Sequence, residues 1–134
     1  MSKQYLAPEG LVSSEQYSYS QVVVSEPGQQ IFLAGQTAWD VSGEIIGGAD
    51  LAAQAEKTLQ NIDVALKAAG ASRRDLTQMR VYMVDYTPNY IEILMPVFKA
   101  FFGDVPPPAQ TWVGVQALAL PEFLIEIEAV AVRS

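Results

Sequence analysis

The sequence contains no cysteine and no histidine among its 134 residues. Their absence excludes disulfide bonds, thiolate nucleophiles, a Ser-His-Asp triad and zinc sites that need Cys or His ligands. Any chemistry must therefore come from carboxylates, tyrosines, hydroxyls, amides, Lys or Arg side chains, or the backbone. A chain without cysteine is also compatible with a reducing compartment.

Positive charge is scarce as well. Eight Lys and Arg residues stand against fifteen Asp and Glu residues, for a formal net charge of −7. Phosphate backbones and anionic membrane surfaces repel such a chain, and the only adjacent basic residues are Arg73 and Arg74. We therefore expect no nucleic-acid and no membrane partner. No apolar stretch is long enough to span a bilayer, and the first ten residues lack the apolar run of a signal peptide, so we expect a cytoplasmic protein.

Half of the residues are hydrophobic and only 17% are charged. A chain of this length suits one domain, which we place at residues 1–134. The apolar content exceeds what a small monomer needs for its core, which favours an oligomer that covers apolar surface.

Hydrophobic patterning predicts an α+β fold in the order β-β-α-β-α-β-β. After an irregular N-terminal arm, Glu26-Pro27-Gly28 is typical of a turn and predicts a hairpin between the first two strands. The predicted strands are Tyr19 to Ser25, Gln30 to Gln36, Leu76 to Val84, Thr111 to Val115 and Leu124 to Val132.

Two helices complete the pattern. The first is predicted from an N-cap at Asp50 to about Ala69, with Gly70 just past its end. The second is predicted from an N-cap at Thr87 with Pro88 in its first turn to about Phe101. Pro96 is predicted to kink or split that helix. Two helices can cover only one face of a sheet, so the other face predicts assembly, without fixing the number of subunits.

Several segments resemble the RidA/YjgF family along nearly the whole chain. Each is weak alone, but their order and spacing together make a strong match. They are Tyr19-Ser20-Gln21, Ala34-Gly35-Gln36, Gln54 to Gly70, Val81 to Asp85, Pro108-Ala109 with Thr111, and Leu120-Pro121 with Ile125 to Val132.

This resemblance implies a homotrimer around a chorismate-mutase-like barrel of mixed sheets, with the helices outside and small-molecule clefts between subunits. It also implies an activity without any cofactor or metal, in which reactive enamines or imines are hydrolysed to carbonyl compounds and ammonia. Family members described as ribonucleases suggest an RNA function, which the acidic charge and missing histidine disfavour.

The resemblance assigns three residues to the cleft. Glu126 matches the acidic residue that activates water or moves protons, and a partly apolar cleft would raise its pKa. Gly35 matches a position where the backbone approaches the ligand, and Tyr19 matches a cleft tyrosine. The alternatives are structural: a strand carboxylate in a network that includes Glu128, a glycine needed for a bulge, and a half-buried tyrosine.

Gln110 is the main departure from the family pattern. It stands where deaminase members carry an arginine that binds the substrate carboxylate through two charge-assisted hydrogen bonds. Met95 and Trp112 also differ from the family's smaller or polar residues and would make the pocket more apolar, unless they serve only in packing. Arg80 could in principle supply the missing charge, although a surface ion pair is the simpler interpretation.

The sequence therefore predicts a Rid-type hydrolase with an altered substrate preference. Its predicted site comprises Glu126 as the catalytic residue and, as substrate-binding residues, Tyr19, Gly35, Met95, Gln110 and Trp112. The alternative is a non-catalytic small-ligand binder or metabolite sensor that uses the same cleft.

Overall fold

The computed structural model describes residues 3–134 and contains six strands and two α-helices. Two short 3-10 turns, Glu15–Tyr17 and Arg73–Asp75, lie between them. The elements are β1 (Lys3–Leu6), β2 (Val22–Ser25), β3 (Gln29–Gln36), α1 (Leu51–Ala68), β4 (Leu76–Val84), α2 (Asn89–Phe102), β5 (Ala109–Val115) and β6 (Ile125–Arg133).

Four strands form a mixed sheet in the order β3-β6-β4-β5. Strands β4 and β5 run parallel, whereas β6 is antiparallel to both β3 and β4. Along β6 the buried residues Ile125 and Ile127 alternate with the partly exposed Glu126 and Glu128. This period of two places one face of the sheet against the helices and leaves the other face open. The α+β class, the mixed sheet and the two helices on one face are confirmed.

Helix α1 has the ends that the sequence predicts. The Asp50 carboxylate accepts a hydrogen bond from the Ala53 amide at 3.1 Å, which satisfies one of the free N–H groups of the first turn. At the other end Gly70 has a φ of +70°, a conformation that costs glycine little. The apolar face between these ends is buried at Leu51, Ala55, Leu59, Ile62 and Leu66.

Helix α2 begins one residue later than predicted and is not split. Pro88 occupies the cap position and no side chain caps the helix, so the predicted capping role of Thr87 is wrong. Backbone hydrogen bonds instead form the turn that leads into the helix, and in one of them the Tyr90 amide donates to the Thr87 carbonyl at 2.9 Å. Pro96 lies within the continuous helix on its exposed side, where water can satisfy the carbonyl that lacks an intrahelical donor.

The predicted hairpin between the first two long strands is wrong. Strand β2 pairs with β1, from Lys3 opposite Ser25 onwards, in a separate two-stranded ribbon. The predicted irregular arm therefore contains a strand, and its residues 1–2 lie outside the described part. The reason is a long-range contact: the Ser20 amide donates to the Pro108 carbonyl at 3.0 Å, which ties the start of this segment to β5. The ribbon is thus a separate sheet and does not extend the four-stranded one.

The open face and the β3 edge carry exposed apolar surface. Phe32 on β3 is 72% exposed, and β3 bears no charged residue along its eight positions. Such an edge strand is a ready template for pairing with another chain. Within residues 3–134, no helix combines the length and the apolarity that crossing a membrane requires.

Candidate functional site

A bulge in β3 shapes the first part of the site. Leu33 pairs with Ala129 and Gln36 pairs with Ile127, so two residues of β3 stand opposite the single Glu128 of β6. One of these two residues is Gly35. The extra residue bends the strand locally and redirects its neighbours, an arrangement often found beside active sites.

Glu126 lies directly against this bulge. A Cβ atom built on Gly35 would lie 2.7 Å from Cδ and 2.9 Å from Cγ of Glu126, and closer still to Oε2. Ordinary carbon contacts are about 3.5–4.0 Å. The carboxyl group therefore occupies space that only a glycine leaves free, and the backbone of Gly35 forms one wall of its site. We call Gly35 and Glu126 the acidic half-site.

The electrostatic environment of Glu126 favours its protonated form. Burial, and secondarily the negative charge of Glu128, raise the pKa of the Glu126 carboxyl above its ordinary value. The two carboxylates share the open face, as the alternation predicts. A carboxyl with a raised pKa can both donate and accept a proton nearer neutrality.

Glu128 is held by two neighbours on β4. The Tyr82 hydroxyl donates a hydrogen bond to Glu128, and this bond is the main cause of the raised pKa of Tyr82. Arg80 lies 3.7 Å from the same carboxylate, so its surface ion pair is confirmed. Both ion-pair partners are substantially exposed, and Arg80 is on the opposite face from Gln110. It therefore cannot replace the missing arginine within one chain.

A cavity of about 460 Å³ forms the second part of the site, beside β5 and the N-terminal turn of α2. Aromatic and uncharged side chains dominate its walls, and we call it the aromatic cavity. It is lined by Tyr17, Tyr19, Gln21, Tyr86, Ile91, Met95, Gln110, Thr111 and Trp112.

Gln110 organises one wall of the aromatic cavity. Its Nε2 donates to the Ser18 carbonyl at 3.1 Å, and its Oε1 accepts from Trp112 Nε1 at 2.7 Å. The Ser20 hydroxyl adds a bond to the Pro107 carbonyl at 2.6 Å, which fixes the segment that carries Tyr19. The amide of Gln110 thus positions protein groups at both of its ends.

The structure therefore distributes the six predicted site residues over two places. Tyr19, Met95, Gln110 and Trp112 line the aromatic cavity. Gln110 pairs with the buried Met79, which puts it on the helix side of the sheet at the β5 edge. The acidic half-site is on the open face near the opposite edge, because the sheet order places β3 and β5 at its two ends. One chain does not bring the two parts together.

Sequence reasoning missed several cavity residues. Tyr17 belongs to a 3-10 turn that no pattern predicts, and Gln21 reaches the Tyr19 hydroxyl at 3.3 Å. Tyr86 follows Asp85, a non-glycine residue at a φ of +55°. The sequence signal for Tyr86 is that it is an aromatic residue shortly after a strand, where β4 leads into α2.

Metal ligands offer no further clue to the chemistry. Between residues 3 and 134, no group of three His, Cys, Asp or Glu side chains is arranged to hold a metal ion. The acidic half-site presents a carboxyl group and backbone amides, and the aromatic cavity presents hydroxyl and side-chain amide groups.

The fold and the comparisons with known proteins define the class. The family model described as Endoribonuclease L-PSP matches residues 13–133, nearly the whole chain. The chain therefore belongs to the RidA/YjgF superfamily, to which this model corresponds.

Three members of this superfamily show how similar the chain is to known proteins. A RutC family protein of Pyrococcus abyssi is 36% identical over 117 residues, which are 86% of each chain. The 2-iminobutanoate/2-iminopropanoate deaminase of Rattus norvegicus is 33% identical over 119 residues, 87% of this chain and 80% of the relative. The crystal structure of YyfB, a Rid family protein of Yersinia pestis, superposes with a TM-score of 0.95 at 38% identity, covering 99% of this chain and 100% of that one.

Proposed function

We propose that this protein hydrolyses an enamine or imine to a carbonyl compound and ammonia, with Glu126 as its acid–base group. The observation that carries the proposal is the carboxyl of Glu126, which has a raised pKa and rests against the bare backbone of Gly35. Membership of a family whose relatives include a named imine deaminase supports the reaction class.

The reaction needs one group that moves protons in both directions. An enamine is first protonated at carbon and loses one N–H proton, which gives the imine. Water then adds to the C=N carbon, forming a C–O bond, while one proton from water ends on nitrogen. In the second half, the carbinolamine O–H proton is removed, a further proton reaches nitrogen, and the C–N bond breaks. Nitrogen leaves as ammonia with the electron pair, and Glu126 accepts and returns each proton.

We further propose that the complete site forms between copies of the chain. The acidic half-site and the aromatic cavity are at opposite edges of one sheet, so a head-to-tail contact would join the cavity of one copy to Glu126 of the next. Contacts of this kind close into rings, and the family resemblance indicates three copies. The exposed β3 edge, with Phe32 72% exposed, is apolar surface for such a contact.

This site is less suited to a simple 2-imino acid than a site with an arginine at position 110. Position 110 carries a neutral amide, of which one N–H already binds the Ser18 carbonyl and the oxygen already binds Trp112, in place of a free guanidinium. A ligand carboxylate would find neutral donors at best, and a neutral hydrogen bond contributes about 1 kcal/mol less than a charge-assisted one.

The Glu126→Gln variant tests the catalytic role. The amide keeps the size of the side chain but cannot take up a proton, so ammonia release should fall about 10²-fold or more. Glu56→Gln, an exposed carboxylate on α1, is the matched control and should retain the full rate. Full activity of Glu126→Gln on every imine that turns over would exclude the assigned role.

One observation favours the alternative, a non-catalytic binder of small metabolites. The polar groups at position 110 serve the protein's own structure, which a sensor tolerates better than an enzyme that must grip its substrate. This alternative expects a ligand that binds in the aromatic cavity without release of ammonia from any imine.

A further inference from the structure

We infer that the aromatic cavity takes an uncharged imine with a ring-bearing side chain and no carboxylate group. This inference rests on the proposed function and names its substrate class. It starts from the lining: in the part of the chain that the structure describes, every side chain on the cavity wall is uncharged, and four of them are aromatic.

The charge of a ligand strongly affects how well it binds in the aromatic cavity. An ionised carboxylate that enters the cavity loses water and meets no Lys or Arg among the residues between 3 and 134 that line it. Burial of a carboxylate without a positively charged partner is unfavourable, so the cavity disfavours anionic imines relative to neutral ones. Asp85, which directly precedes the cavity residue Tyr86, adds negative charge nearby; after burial, it is the second cause of the raised pKa of Tyr90.

The Tyr19 hydroxyl of the cavity can bind a neutral hydrogen-bonding group on the ligand. Gln110 Oε1 accepts from Trp112 Nε1, and one Nε2–H of Gln110 donates to the Ser18 carbonyl. The Tyr19 hydroxyl lies 3.3 Å from Gln21 Nε2, from which it accepts, so its own proton remains for a ligand. A tyrosine O–H donor suits an imine nitrogen or the carbonyl oxygen of the product.

The walls are also held rigidly enough to select a flat ring. The rings of Trp112 and Phe98 have centroids 5.7 Å apart, and those of Tyr86 and Tyr90 pack edge-on at 5.4 Å. Behind Tyr86, a Cβ atom on Gly114 would come within 3.1 Å of the tyrosine Cβ, so this wall has little room to retreat. Packed aromatic walls stack well on planar groups, and about 460 Å³ is ample for a benzene ring and a short chain.

Two imines that differ only in a carboxylate test the inference. An amine oxidase acting on phenethylamine gives the neutral imine, and an amino-acid oxidase acting on phenylalanine gives its carboxylate-bearing counterpart. Semicarbazide traps the imine that remains, which yields a rate for each. We expect kcat/KM for the neutral imine to be about tenfold higher or more, because the charged one must be desolvated without a partner.

A cation placed in the cavity should reverse this preference. Met95→Lys puts an ammonium group on the wall without removing the Gln110–Trp112 bond, so the carboxylate-bearing imine should gain at least about tenfold relative to the neutral one. Val64→Lys adds the same charge at a 68% exposed position of α1 and should leave the ratio unchanged. An unchanged ratio in Met95→Lys would overturn the inference.

A binding measurement separates failure of the inference from failure of the proposed hydrolysis. In a Trp39→Phe background Trp112 is the single tryptophan, because the chain has two. Quenching of its fluorescence by acetophenone but not by phenylpyruvate supports the inference even if no imine turns over, in which case hydrolysis is overturned. Turnover that depends on Glu126 and prefers the carboxylate-bearing imine overturns the inference and leaves hydrolysis standing.

Discussion

The contact between Gly35 and Glu126 makes a sharp prediction for Gly35→Ala. The new methyl group would lie 2.7 Å from Cδ of Glu126, so the carboxyl carbon must retreat by about 0.8 Å or more to reach an ordinary contact. A misplacement of about 1 Å in a catalytic group costs on the order of 10²-fold in rate. We therefore expect turnover of any imine substrate to fall about 10²-fold.

Stability should change far less than activity. Gly35 is not among the glycines with a positive φ, so alanine adopts its backbone conformation without strain. The loss of unfolded-state entropy then stabilises the fold by about 0.4–1 kcal/mol. Forcing Glu126 off its rotamer costs about 0.5–1.5 kcal/mol in the opposite direction. The free energy of unfolding should thus stay within about 1 kcal/mol of that of the unsubstituted protein.

Ammonia release and urea unfolding of the same preparations measure the two effects. Gly10→Ala is the control, because its added Cβ atom meets nothing within 4 Å, and it should change neither quantity appreciably. Adding Glu126→Asp to Gly35→Ala withdraws the carboxyl by one methylene and should recover part of the lost rate. Full activity in Gly35→Ala would refute the close approach as a requirement for catalysis.

Further predictions concern charge and hydrogen bonding at the two half-sites. Removing the Glu128 charge in Glu128→Gln should lower the pKa of Glu126, so the limb of the kcat/KM profile that reports this group should move to lower pH; an unmoved limb would assign the raised pKa to burial alone. Because the folded pKa of Glu126 is raised, the folded state holds its proton more tightly, and stability falls as pH rises from the unfolded pKa through the folded one. The Glu126→Gln variant should lack this fall in urea unfolding at pH 4 to 8. Gln110→Arg should create or raise 2-iminopropanoate hydrolysis while destabilising the fold by about 1 kcal/mol, since arginine cannot accept the Trp112 bond. Gln110→Met loses the same bonds without adding charge, so a gain in both variants would show that charge is not the cause.

Local signals in the sequence are sufficient for the helices and for the faces of the central strands. The buried stripe of α1 follows from a 3.6-residue period, with Asp50 and Gly70 marking its ends. The alternation along β6 likewise predicts that Glu126 and Glu128 share one face. These features depend on residues a few positions apart, which a sequence displays directly.

The local sequence signals did not predict the long-range pairing of strands correctly. Glu26-Pro27-Gly28 is a sound turn signal, but the partner of β2 is decided by the Ser20–Pro108 bond and by β1. The bulge at Gly35 depends on the register between β3 and β6, which no local pattern specifies. The gathering of Tyr19 with Gln110 has the same origin, because that tyrosine reaches the cavity through contacts some 90 positions away along the chain.

Complementation between two inactive variants tests most directly whether the site is completed by a neighbouring copy. Glu126→Gln removes the acid but keeps the aromatic cavity, and Met95→Trp fills the cavity but keeps the acid. If the site forms head to tail between copies, co-refolding equal amounts should restore about a quarter of the activity of the unsubstituted protein, since random mixing gives that fraction of interfaces two intact halves. A mixed assembly as inactive as its two parents would contradict a site shared between copies.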